Sequence, residues 1–437
     1  MDRFAVIDRE NSGCFVKSVP NLRRPNILKR VAPFGSDNTD IKKRKKEAEV
    51  IHYIHQSKWI SDNFFDLKLI GKGAFGMVYQ AKCRQDETKT VAVKEILKKK
   101  TSDPTDVAIC EIKLVKELGG KRNILPTLKT HESEGFKDMG SFIVMDYFPH
   151  DPFLKVINDL TEEEIIHYAV NLISALEYLH SNLIIHRDVK PDNFLYNRAE
   201  RRYALIDFGL SQRYNKNLDR SEELKRRFSG RSPVISKTQS LPCLCEGKLA
   251  AACCNCEKKD YLVVNRAGTP RFLAPEVLVG SNKQTTKIDI WAVGMILFYM
   301  TVRNYRFFAA KDELAVISEL SAIFGTNSFI ELAREHGMDI ITSFKFRKLN
   351  LMEFALSHRY GFDNESFGIQ KKCRYCRSYF KRPFMNRCFC LTTIDETLDD
   401  LNDRNHIIGR MLMHCLEIDP TKRLSSSELL KKFEKYQ

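Results

Sequence analysis

Residues 186–193 read His186-Arg187-Asp188-Val189-Lys190-Pro191-Asp192-Asn193. Within this octapeptide, Asp188 can accept the proton of a hydroxyl group, and Asn193 can turn back to hold a metal ion. Lys190 lies between them, where a cation can steady a phosphoryl group during its transfer. Phosphoryl transfer needs in-line positioning and neutralisation of charge more than covalent help from the protein. The octapeptide therefore predicts a catalytic loop for phosphoryl transfer.

A glycine-rich stretch precedes this loop in the chain and indicates a site for phosphates. After Ile70 it reads Gly71-Lys72-Gly73-Ala74-Phe75-Gly76-Met77-Val78. Glycines let the backbone approach phosphates that a side chain would block. The same spacing also occurs in dinucleotide folds and ordinary turns, but here a short strand pattern that ends at Lys94 follows it. We expect Lys94 to grip the α- and β-phosphates of a nucleotide.

Two acidic residues have the positions that a nucleotide site with a bound metal requires. Glu111 lies in a stretch with apolar residues at helical spacing, which favours an ion-pair partner for Lys94 over a plain surface glutamate. Asp207-Phe208-Gly209 follows the catalytic loop after a strand-length gap, and its aspartate is expected to bind magnesium that bridges the phosphates. Ala274-Pro275-Glu276 closes this segment.

These motifs together resemble those of the eukaryotic protein-kinase superfamily, from about Phe64 to about Phe433. The resemblance implies an α+β, bilobal protein-kinase fold with ATP and Mg²⁺ as cofactors. Residues 64–149 would form a small, mostly-β N-lobe, and residues 150–433 a larger, mostly-α C-lobe with long inserts. None of the usual catalytic positions is missing, which argues against an inactive member of the superfamily.

The same resemblance assigns further roles to single residues. Lys190 and the Gly268-Thr269-Pro270 stretch are similar to the serine/threonine branch, in which Thr269 would hydrogen-bond towards Asp188 and Lys190. Three more expectations follow from it: a gatekeeper and adenine hinge at Met145, Asp146, Tyr147 and Phe148, an ion pair between Glu276 and Arg423, and a brace on the catalytic loop from Asp289.

A narrower similarity concerns the stretches 193–198, 203–210, 266–270 and 284–289, which look like the cell-division-cycle-seven kinases. This resemblance implies a nuclear, chromatin-associated kinase that is inactive until a regulatory subunit binds. It also implies that the replicative helicase is the main substrate and that replication initiation is the role. Leu273 stands where the family often has an arginine, and Arg271 lies nearby instead. This departure concerns substrate recognition and leaves the chemistry unaffected.

Composition fits an intracellular enzyme. The chain has 437 residues, of which 43% are hydrophobic, and its formal net charge is +15. Such a length predicts two lobes with extensions rather than one core. A basic balance fits nucleic acid, a membrane surface or acidic partners, and an acidic peptide substrate is the preferred interpretation. No signal peptide and no membrane are expected, because the most apolar run, residues 290–302, is shorter than the roughly 20 residues that span a bilayer.

The N-terminal part is predicted to be a basic, disordered tail over residues 1–46, followed by a short helical extension over residues 47–63. The tail contains the run Lys42-Lys43-Arg44-Lys45-Lys46, which indicates a nuclear-import signal, a nucleic-acid patch or a solvated charge cluster. Nuclear import is preferred. In the large lobe, Thr161 with Glu164 predicts a helix start by the capping-box pattern, as Ser425 does with Glu428.

Two inserts break the kinase pattern, at about residues 211–262 and 329–395, and each contains clustered cysteines. Four thiolates in one cluster could close a structural zinc site, although free thiols on a loop are the alternative. Basic and aromatic residues around the second cluster could contact DNA or a protein partner. The candidate zinc ligands are Cys243, Cys245, Cys253 and Cys256 in the first insert, and Cys373, Cys376, Cys388 and Cys390 in the second.

Two other functions stay open at this point. One is a different nuclear serine/threonine kinase with an unrelated substrate. The other is a scaffold that keeps the kinase fold and binds partners through zinc-bearing inserts. Transfer of radioactive phosphate separates an enzyme from a scaffold.

Overall fold

A computed structural model represents the protein. It describes residues 57–73, 76–96, 107–132, 141–214, 268–281, 284–310, 312–342, 345–360 and 403–436, together with the backbone of residues 4–8. All eight cysteines proposed as zinc ligands, the basic run at residues 42–46, and Ala74 and Phe75 lie outside these described residues.

The small lobe is built on a five-stranded antiparallel sheet whose strand order is β2-β3-β4-β6-β5. Short runs rich in valine, isoleucine and aromatic residues form its strands, as their β propensity favours. One helix, α2, packs beside the sheet. The elements are β2 (Phe64–Gly73), β3 (Gly76–Cys83), β4 (Thr90–Ile96), α2 (Val107–Leu118), β5 (Thr127–His131) and β6 (Ser141–Asp146).

One face of this sheet carries a hydrophobic core of its own, separate from the core of the large lobe. Helix α1 (Lys58–Asn63) covers part of that face. Its Ile60 is fully buried, and the Trp59 ring stacks on His131 at 4.6 Å and on Phe142 at 5.5 Å between ring centroids. The predicted helical extension over residues 47–63 is therefore confirmed for residues 58–63, while residues 47–56 lie outside the described part.

The large lobe is mostly helical, and its core surrounds α6, which is buried along almost its whole length. This helix contains the apolar run at residues 290–302, and a helix that is apolar on all sides is typically buried in a core. Both predicted capping boxes are present, at the starts of α4 and α11. The helices are α3 (Phe153–Val156), α4 (Glu162–Ser181), α5 (Pro275–Leu278), α6 (Lys287–Val302), α7 (Glu313–Phe324), α8 (Thr326–Glu335), α9 (Leu351–Tyr360), α10 (Asp403–Cys415) and α11 (Ser426–Phe433).

Short strands and single turns of 3₁₀ helix frame the catalytic segments of the large lobe. Strand β7 pairs with β10, and β8 pairs with β9, both antiparallel. Among the described helices, none is long and apolar enough to cross a membrane. The remaining elements are β7 (Ile184–Ile185), β8 (Phe194–Asn197), β9 (Arg202–Leu205), β10 (Gln212–Arg213), β11 (Met338–Thr342), and 3₁₀ turns at Pro191–Asn193, Pro270–Phe272 and Glu434–Tyr436.

The prediction that residues 1–46 lack regular structure is wrong for Phe4–Asp8. These residues form strand β1, which pairs antiparallel with β11 in the large lobe, with Phe4 opposite Thr342 and Asp8 opposite Met338. The sequence Phe-Ala-Val-Ile-Asp has good β propensity, but a strand needs a partner. That partner lies more than three hundred positions away, so no local pattern indicated it.

The predicted insert boundaries also need correction. Residues 211–214 belong to the packed large lobe, since Ser211, Gln212 and Tyr214 are buried and β10 pairs with β7. Helices α8 and α9 and strand β11 lie between residues 326 and 360, and Phe329 and Ala355 are fully buried in the core. The stretch after Phe329 was assigned to an insert because it breaks the kinase pattern, yet its buried residues Phe329, Leu332 and Ala333 follow helical spacing. Residues 361–402 lie outside the description.

Candidate active site

A cavity of about 720 Å³ opens between the two lobes, and the predicted nucleotide residues line it from both sides. The cleft is partly apolar and partly charged, as small-molecule sites usually are. Ile70 stands at its mouth with 46% of its surface exposed, an unusual exposure for an isoleucine. The predicted lining residues found here are Ile70, Gly71, Lys72, Gly73, Val78, Lys94, Glu111, Met145, Asp146, Phe148, Asn193 and Asp207.

The described glycines of this stretch lie where β2 and β3 approach each other, with Gly73 opposite Gly76. Gly71, Lys72 and Gly73 line the cavity. Gly76 has a φ of +153°, and a Cβ atom there would lie 1.8 Å from the carbonyl oxygen of Glu95. Gly76 therefore lets β3 pack closely against β4, a task that only glycine can perform.

Met77 was predicted to belong to the nucleotide site, but its side chain lies in the small-lobe core and does not line the cleft. Because successive side chains of a strand point to opposite faces, Met77 and Tyr79 turn away from the cleft while Val78 turns into it. Met77 belongs to the separate core of the small lobe, and its sulfur accepts a hydrogen bond from the Tyr79 hydroxyl at 3.4 Å. The sequence assignment recognised a strand-like run after the glycines but counted both Met77 and Val78 as nucleotide residues.

Lys94 lies at the centre of a buried ion-pair cluster. Its Nζ donates to Glu111 Oε1 on α2 at 2.5 Å and to Asp207 Oδ1 at 2.7 Å. Burial works against the lysine charge, but the two carboxylates outweigh it and raise the pKa of Lys94. In the same way burial opposes the charge of Asp207, yet Lys94 holds the pKa of that carboxyl below its usual range. The predicted pairing of Lys94 with Glu111 is present, and the cluster joins the two lobes.

The catalytic loop forms a hydrogen-bonded group around Asp188. Lys190 Nζ donates to Asp188 Oδ2 at 2.7 Å, and the Thr269 hydroxyl donates to Oδ1 at 2.8 Å. Lys190 also donates to the Thr269 hydroxyl oxygen at 3.1 Å. Asn193 Nδ2 reaches the main-chain oxygen of Asp188 at 2.8 Å. All four residues predicted to be catalytic therefore meet in one place, at the floor of the cleft.

Asp289 holds this loop from below. Its carboxylate accepts hydrogen bonds from the backbone N–H groups of His186 and Arg187, both at 2.8 Å, and contacts His180 Nε2 at 2.9 Å. Burial opposes the charge of Asp289, but these partners outweigh it and lower the pKa of the carboxyl. The predicted brace is therefore present, and a charge-assisted donor set of this kind is strong.

A second buried ion pair closes the lower end of the site. Arg423 donates to both carboxylate oxygens of Glu276, at 2.8 and 3.0 Å, as the resemblance predicted. Both side chains are almost completely buried, and the guanidinium carbon of Arg423 lies 5.2 Å from the centre of the Trp291 ring. This fork-shaped pairing fixes the segment that follows Thr269 onto the large-lobe core.

Sequence reasoning missed several apolar residues of the cleft. Ala92, Ile143, Leu195 and Ile206 line it together with the predicted set. Ala92 could have been found, because it lies two positions before Lys94 on the same strand and so shares its face. Leu195 and Ile206 carry no such signal, since their places depend on how β8 and the Asp207 segment fold under the small lobe.

Asp207 and Asn193 fit a magnesium ion bound with a nucleotide. Asp207 offers a carboxylate that is 31% exposed towards the cleft, and Asn193 donates through Nδ2, which leaves its amide oxygen as the potential ligand. Mg²⁺ usually takes only one or two protein carboxylates and completes its shell with substrate phosphates and water. This explains why the described residues contain no cluster of three or more histidine, cysteine or acidic ligands.

The comparisons with known proteins agree with this geometry. The model of the protein kinase domain matches residues 64–231 and 249–433, which is most of the chain. The chain therefore belongs to the protein kinase family, and it is an enzyme of the serine/threonine type, as predicted. Protein kinases in general use ATP and Mg²⁺.

Within this family, the chain is similar to cell division cycle 7 kinases. It is 33% identical over 283 residues to "Probable cell division control protein 7 homolog 2" of Encephalitozoon cuniculi, which covers 64% of this chain and 76% of that protein. It is 23% identical to the human "Cell division cycle 7-related protein kinase", over 83% of this chain and 87% of that protein. The Schizosaccharomyces pombe "Cell cycle serine/threonine-protein kinase hsk1" is 25% identical, over 88% of this chain and 68% of that protein.

Proposed function

We propose that this kinase promotes the initiation of DNA replication by phosphorylating the replicative helicase in the nucleus, after activation by a regulatory subunit. The observation that supports this most is the similarity to cell division cycle 7 kinases, which extends over 83% of this chain in the human relative. The complete catalytic group around Asp188 favours an active enzyme over a scaffold.

The geometry supports a direct route for phosphoryl transfer. A serine or threonine hydroxyl that lies against Asp188 gives its proton to that carboxylate while its oxygen attacks the γ-phosphorus of ATP. Lys190 stabilises the charge on the group in transfer, the bond to the bridging oxygen breaks, and ADP leaves. Lys94 holds the remaining phosphates. Asp207 and Asn193 would hold magnesium, and the ion would supply further neutralisation of phosphate charge.

The need for a regulatory subunit is supported by the length of the segment between Asp207 and Glu276. It counts 70 residues, and its two ends pack on the large lobe. Residues 215–267 alone still far exceed the roughly 12–15 residues of a loop without structure of its own. Ordering such a segment unaided costs conformational entropy of about 1–2 kcal/mol per residue. A protein that docks on the inserts supplies this ordering and holds helix α2, with Glu111, against Lys94.

We propose that the substrates are acidic around the target residue. Arg271 lies two positions after Thr269 and lines the cleft, and its guanidinium donates to the main-chain oxygen of Tyr305 at 3.0 Å while stacking on that ring. This holds a cation at the edge of the catalytic site. Arg266, which was predicted to assist, lies outside the described residues. An exposed contact of this kind is modest and falls with salt.

A kinase assay with and without a regulatory subunit tests the function. Subunits are recovered from nuclear extract on the tagged full chain, and transfer of labelled phosphate to the replicative helicase is measured. We expect little transfer by the isolated chain and strong transfer with the subunit. Full activity of the isolated chain contradicts the need for a subunit, and a preference for unrelated substrates favours a different nuclear kinase.

A peptide array tests the substrate class. We expect peptides with acidic or phosphorylated flanking residues to react faster than basic ones, and Arg271→Glu to remove that difference. Equal rates for both peptide sets count against the proposal.

Two further parts of the proposal concern the residues outside the description. The basic run at residues 42–46 is proposed as the nuclear-import signal, and its replacement by alanines is expected to leave a fluorescent fusion in the cytoplasm.

The two cysteine clusters are proposed to hold structural zinc, about one ion each. Elemental analysis tests this, and unchanged zinc content in Cys245→Ser and Cys376→Ser protein contradicts it.

A further inference from the structure

Two opposite charges line the cleft near the catalytic Asp188. One is Arg271, two positions after Thr269, and the other is Asp192, an exposed residue of the catalytic loop. In the described part of the chain, the side-chain contacts of Arg271 and Asp192 go to Tyr305 and not to each other. The cleft therefore presents a cation and an anion that do not form an ion pair.

Tyr305 contacts the two charges with different parts of its side chain. The guanidinium carbon of Arg271 lies 4.9 Å from the centre of the Tyr305 ring, and Nη1 donates to the main-chain oxygen of Tyr305 at 3.0 Å. The Tyr305 hydroxyl donates to Asp192 Oδ2 at 3.5 Å, a long hydrogen bond. The cation therefore lies over the face of the ring, while the carboxylate lies at its hydroxyl end.

Neighbouring aromatic side chains fix the ring of Tyr305. Phe153 packs edge-on at 5.6 Å between ring centroids, and the fully buried Tyr299 lies at 5.5 Å. Burial raises the pKa of Tyr305 to about 12, and the charge of Asp192 adds to this shift. The phenol therefore stays protonated at neutral pH and remains a donor to that carboxylate.

An aromatic face holds a cation without cancelling its charge, whereas a carboxylate would cancel it. Arginine carries several N–H donors in a fixed fork, and one of them is used in the bond to the main-chain oxygen. Glu319 also feels the charge of Arg271, but its carboxylate accepts from the backbone N–H groups of Ala309 and Ala310, both at 3.2 Å. The other donors of Arg271 can thus serve an anion that enters the cleft.

We propose that Tyr305 is a specificity-determining positioning residue. It holds Arg271 apart from Asp192, so that the guanidinium stays available for an acidic or phosphorylated residue beside the target hydroxyl. Without the ring, Arg271 would turn to Asp192 and lose its charge to an internal ion pair. This inference rests on the proposed acidic substrates, but not on the replication role or on the regulatory subunit.

The test uses the full chain in whichever form is active, alone or with its regulatory subunit. Two serine peptides differ only in their flanking residues, which are aspartate in one and asparagine in the other. The ratio of their kcat/KM values defines the acidic preference. We expect Tyr305→Leu to lower this preference by about 3- to 10-fold, through KM for the acidic peptide rather than through kcat. Tyr305→Phe keeps the ring and should keep most of the preference.

A rescue experiment separates positioning from general packing. Adding Asp192→Asn to Tyr305→Leu removes the competing carboxylate, so we expect the acidic preference to return to the wild-type value. A tyrosine that merely fills space would give no such rescue.

A second variant leaves the ring untouched and therefore decides even where Tyr305→Leu folds poorly. Arg271→Lys keeps the charge but lacks the flat group that stacks on an aromatic face, so we expect a similar loss of preference and the same rescue by Asp192→Asn. Arg306→Gln is the matched control, because it removes an exposed arginine next to Tyr305 that does not line the cleft.

The outcomes distinguish this inference from the proposed substrate class. Equal rates on both peptides in the wild type, or a preference that survives Arg271→Glu, would overturn the acidic substrates and this inference together. A preference that is lost in Arg271→Glu but kept in Tyr305→Leu and Arg271→Lys would overturn the role of Tyr305 alone. So would a loss in those variants that Asp192→Asn does not reverse.

Discussion

The two sides of the cleft are held together by different means. On the nucleotide side, Lys94 joins α2 to the Asp207 segment through charged contacts alone, at 2.5 and 2.7 Å. On the catalytic-loop side, Asp289 accepts from the backbone N–H groups of His186 and Arg187. Gln212 and Gln284 accept from the Arg187 side chain, so all of these contacts lie within one lobe. The contacts on the nucleotide side therefore depend on how the two lobes are oriented, whereas the contacts of the catalytic loop lie entirely within the large lobe. We therefore expect regulation to change the contacts of the small lobe more than those of the catalytic loop.

We expect the largest effect on activity from a substitution in the catalytic loop. Asp188→Asn removes the proton acceptor while leaving Lys190 and Thr269 in place, so we expect kcat to fall by about 10²–10⁴-fold. ATP affinity, measured by calorimetry, should stay near the wild-type value because Asp188 does not hold the nucleotide. Phosphorylation at a near-normal rate would remove Asp188 from the mechanism. Asp207→Ala is the contrasting variant, since it should lose magnesium-dependent nucleotide binding.

The second prediction concerns the stability of the large lobe. Arg423→Met leaves the Glu276 carboxylate buried without its cation, which should lower the free energy of unfolding by about 3–5 kcal/mol. Arg404→Met is the matched control, because its ion pair with Glu163 is 60% and 41% exposed and should contribute less than about 1 kcal/mol. Denaturant unfolding measures both. Equal losses in the two variants would contradict the view that this lobe is fixed by its buried pairs.

The third prediction addresses the nucleotide side. Glu111→Gln weakens the link between α2 and Lys94, while Asp207 still compensates the lysine. We therefore expect kcat/KM for ATP to fall by roughly 10- to 100-fold, with the free energy of unfolding nearly unchanged. Glu117→Gln, on the same helix but 46% exposed, is the control. If Glu111→Gln unfolds the protein instead, the cluster is part of the core and not an adjustable contact.

The sequence predicted the residues of the site better than their surroundings. Lys94, Asp188 and Asn193 stand in motifs whose spacing is fixed by local chain geometry, so their roles followed from the order of residues. The capping box of Thr161 with Glu164 was predictable for the same reason. The orientation of Met77 can be predicted only when the alternation of side chains along strand β3 is taken into account.

Features that depend on contacts between residues far apart in the sequence could not be predicted from the sequence. Gln212 and Gln284 carry no signature, because an amide beside an arginine is meaningful only when the fold brings them together. Strand β1 is five residues long and could pair with any open sheet edge. In both cases, contacts across the fold decide the role, and local propensity is too weak to choose among partners.

The smallest predicted effect is a pH dependence of stability that arises in the small lobe. Glu95 follows Lys94 but points into the small-lobe core, and burial raises its pKa from 4.5 to about 7. Because the folded form binds the proton more tightly, its contribution to stability is complete below about pH 4.5 and is lost as the pH rises through about 7.

We expect Glu95→Gln to stabilise the protein by about 1–3 kcal/mol at pH 8 and by much less at pH 5. Thermal unfolding at both pH values measures this, with the exposed Glu87→Gln as control. A gain that is equal at both pH values would mean that burial of the charge is not its cause.

The pairing of β1 with β11 has a consequence for how the chain is made. Asp8 is synthesised roughly 330 residues before its partner Met338. At about 5–20 residues per second, synthesis of that stretch takes on the order of 15–70 s. During this time β1 is an unpaired strand edge on a nascent chain, open to chaperones or to other chains. Its docking therefore belongs to the last steps of folding, and a ribosome-stalled chain that ends before β11 should leave Phe4–Asp8 open to protease.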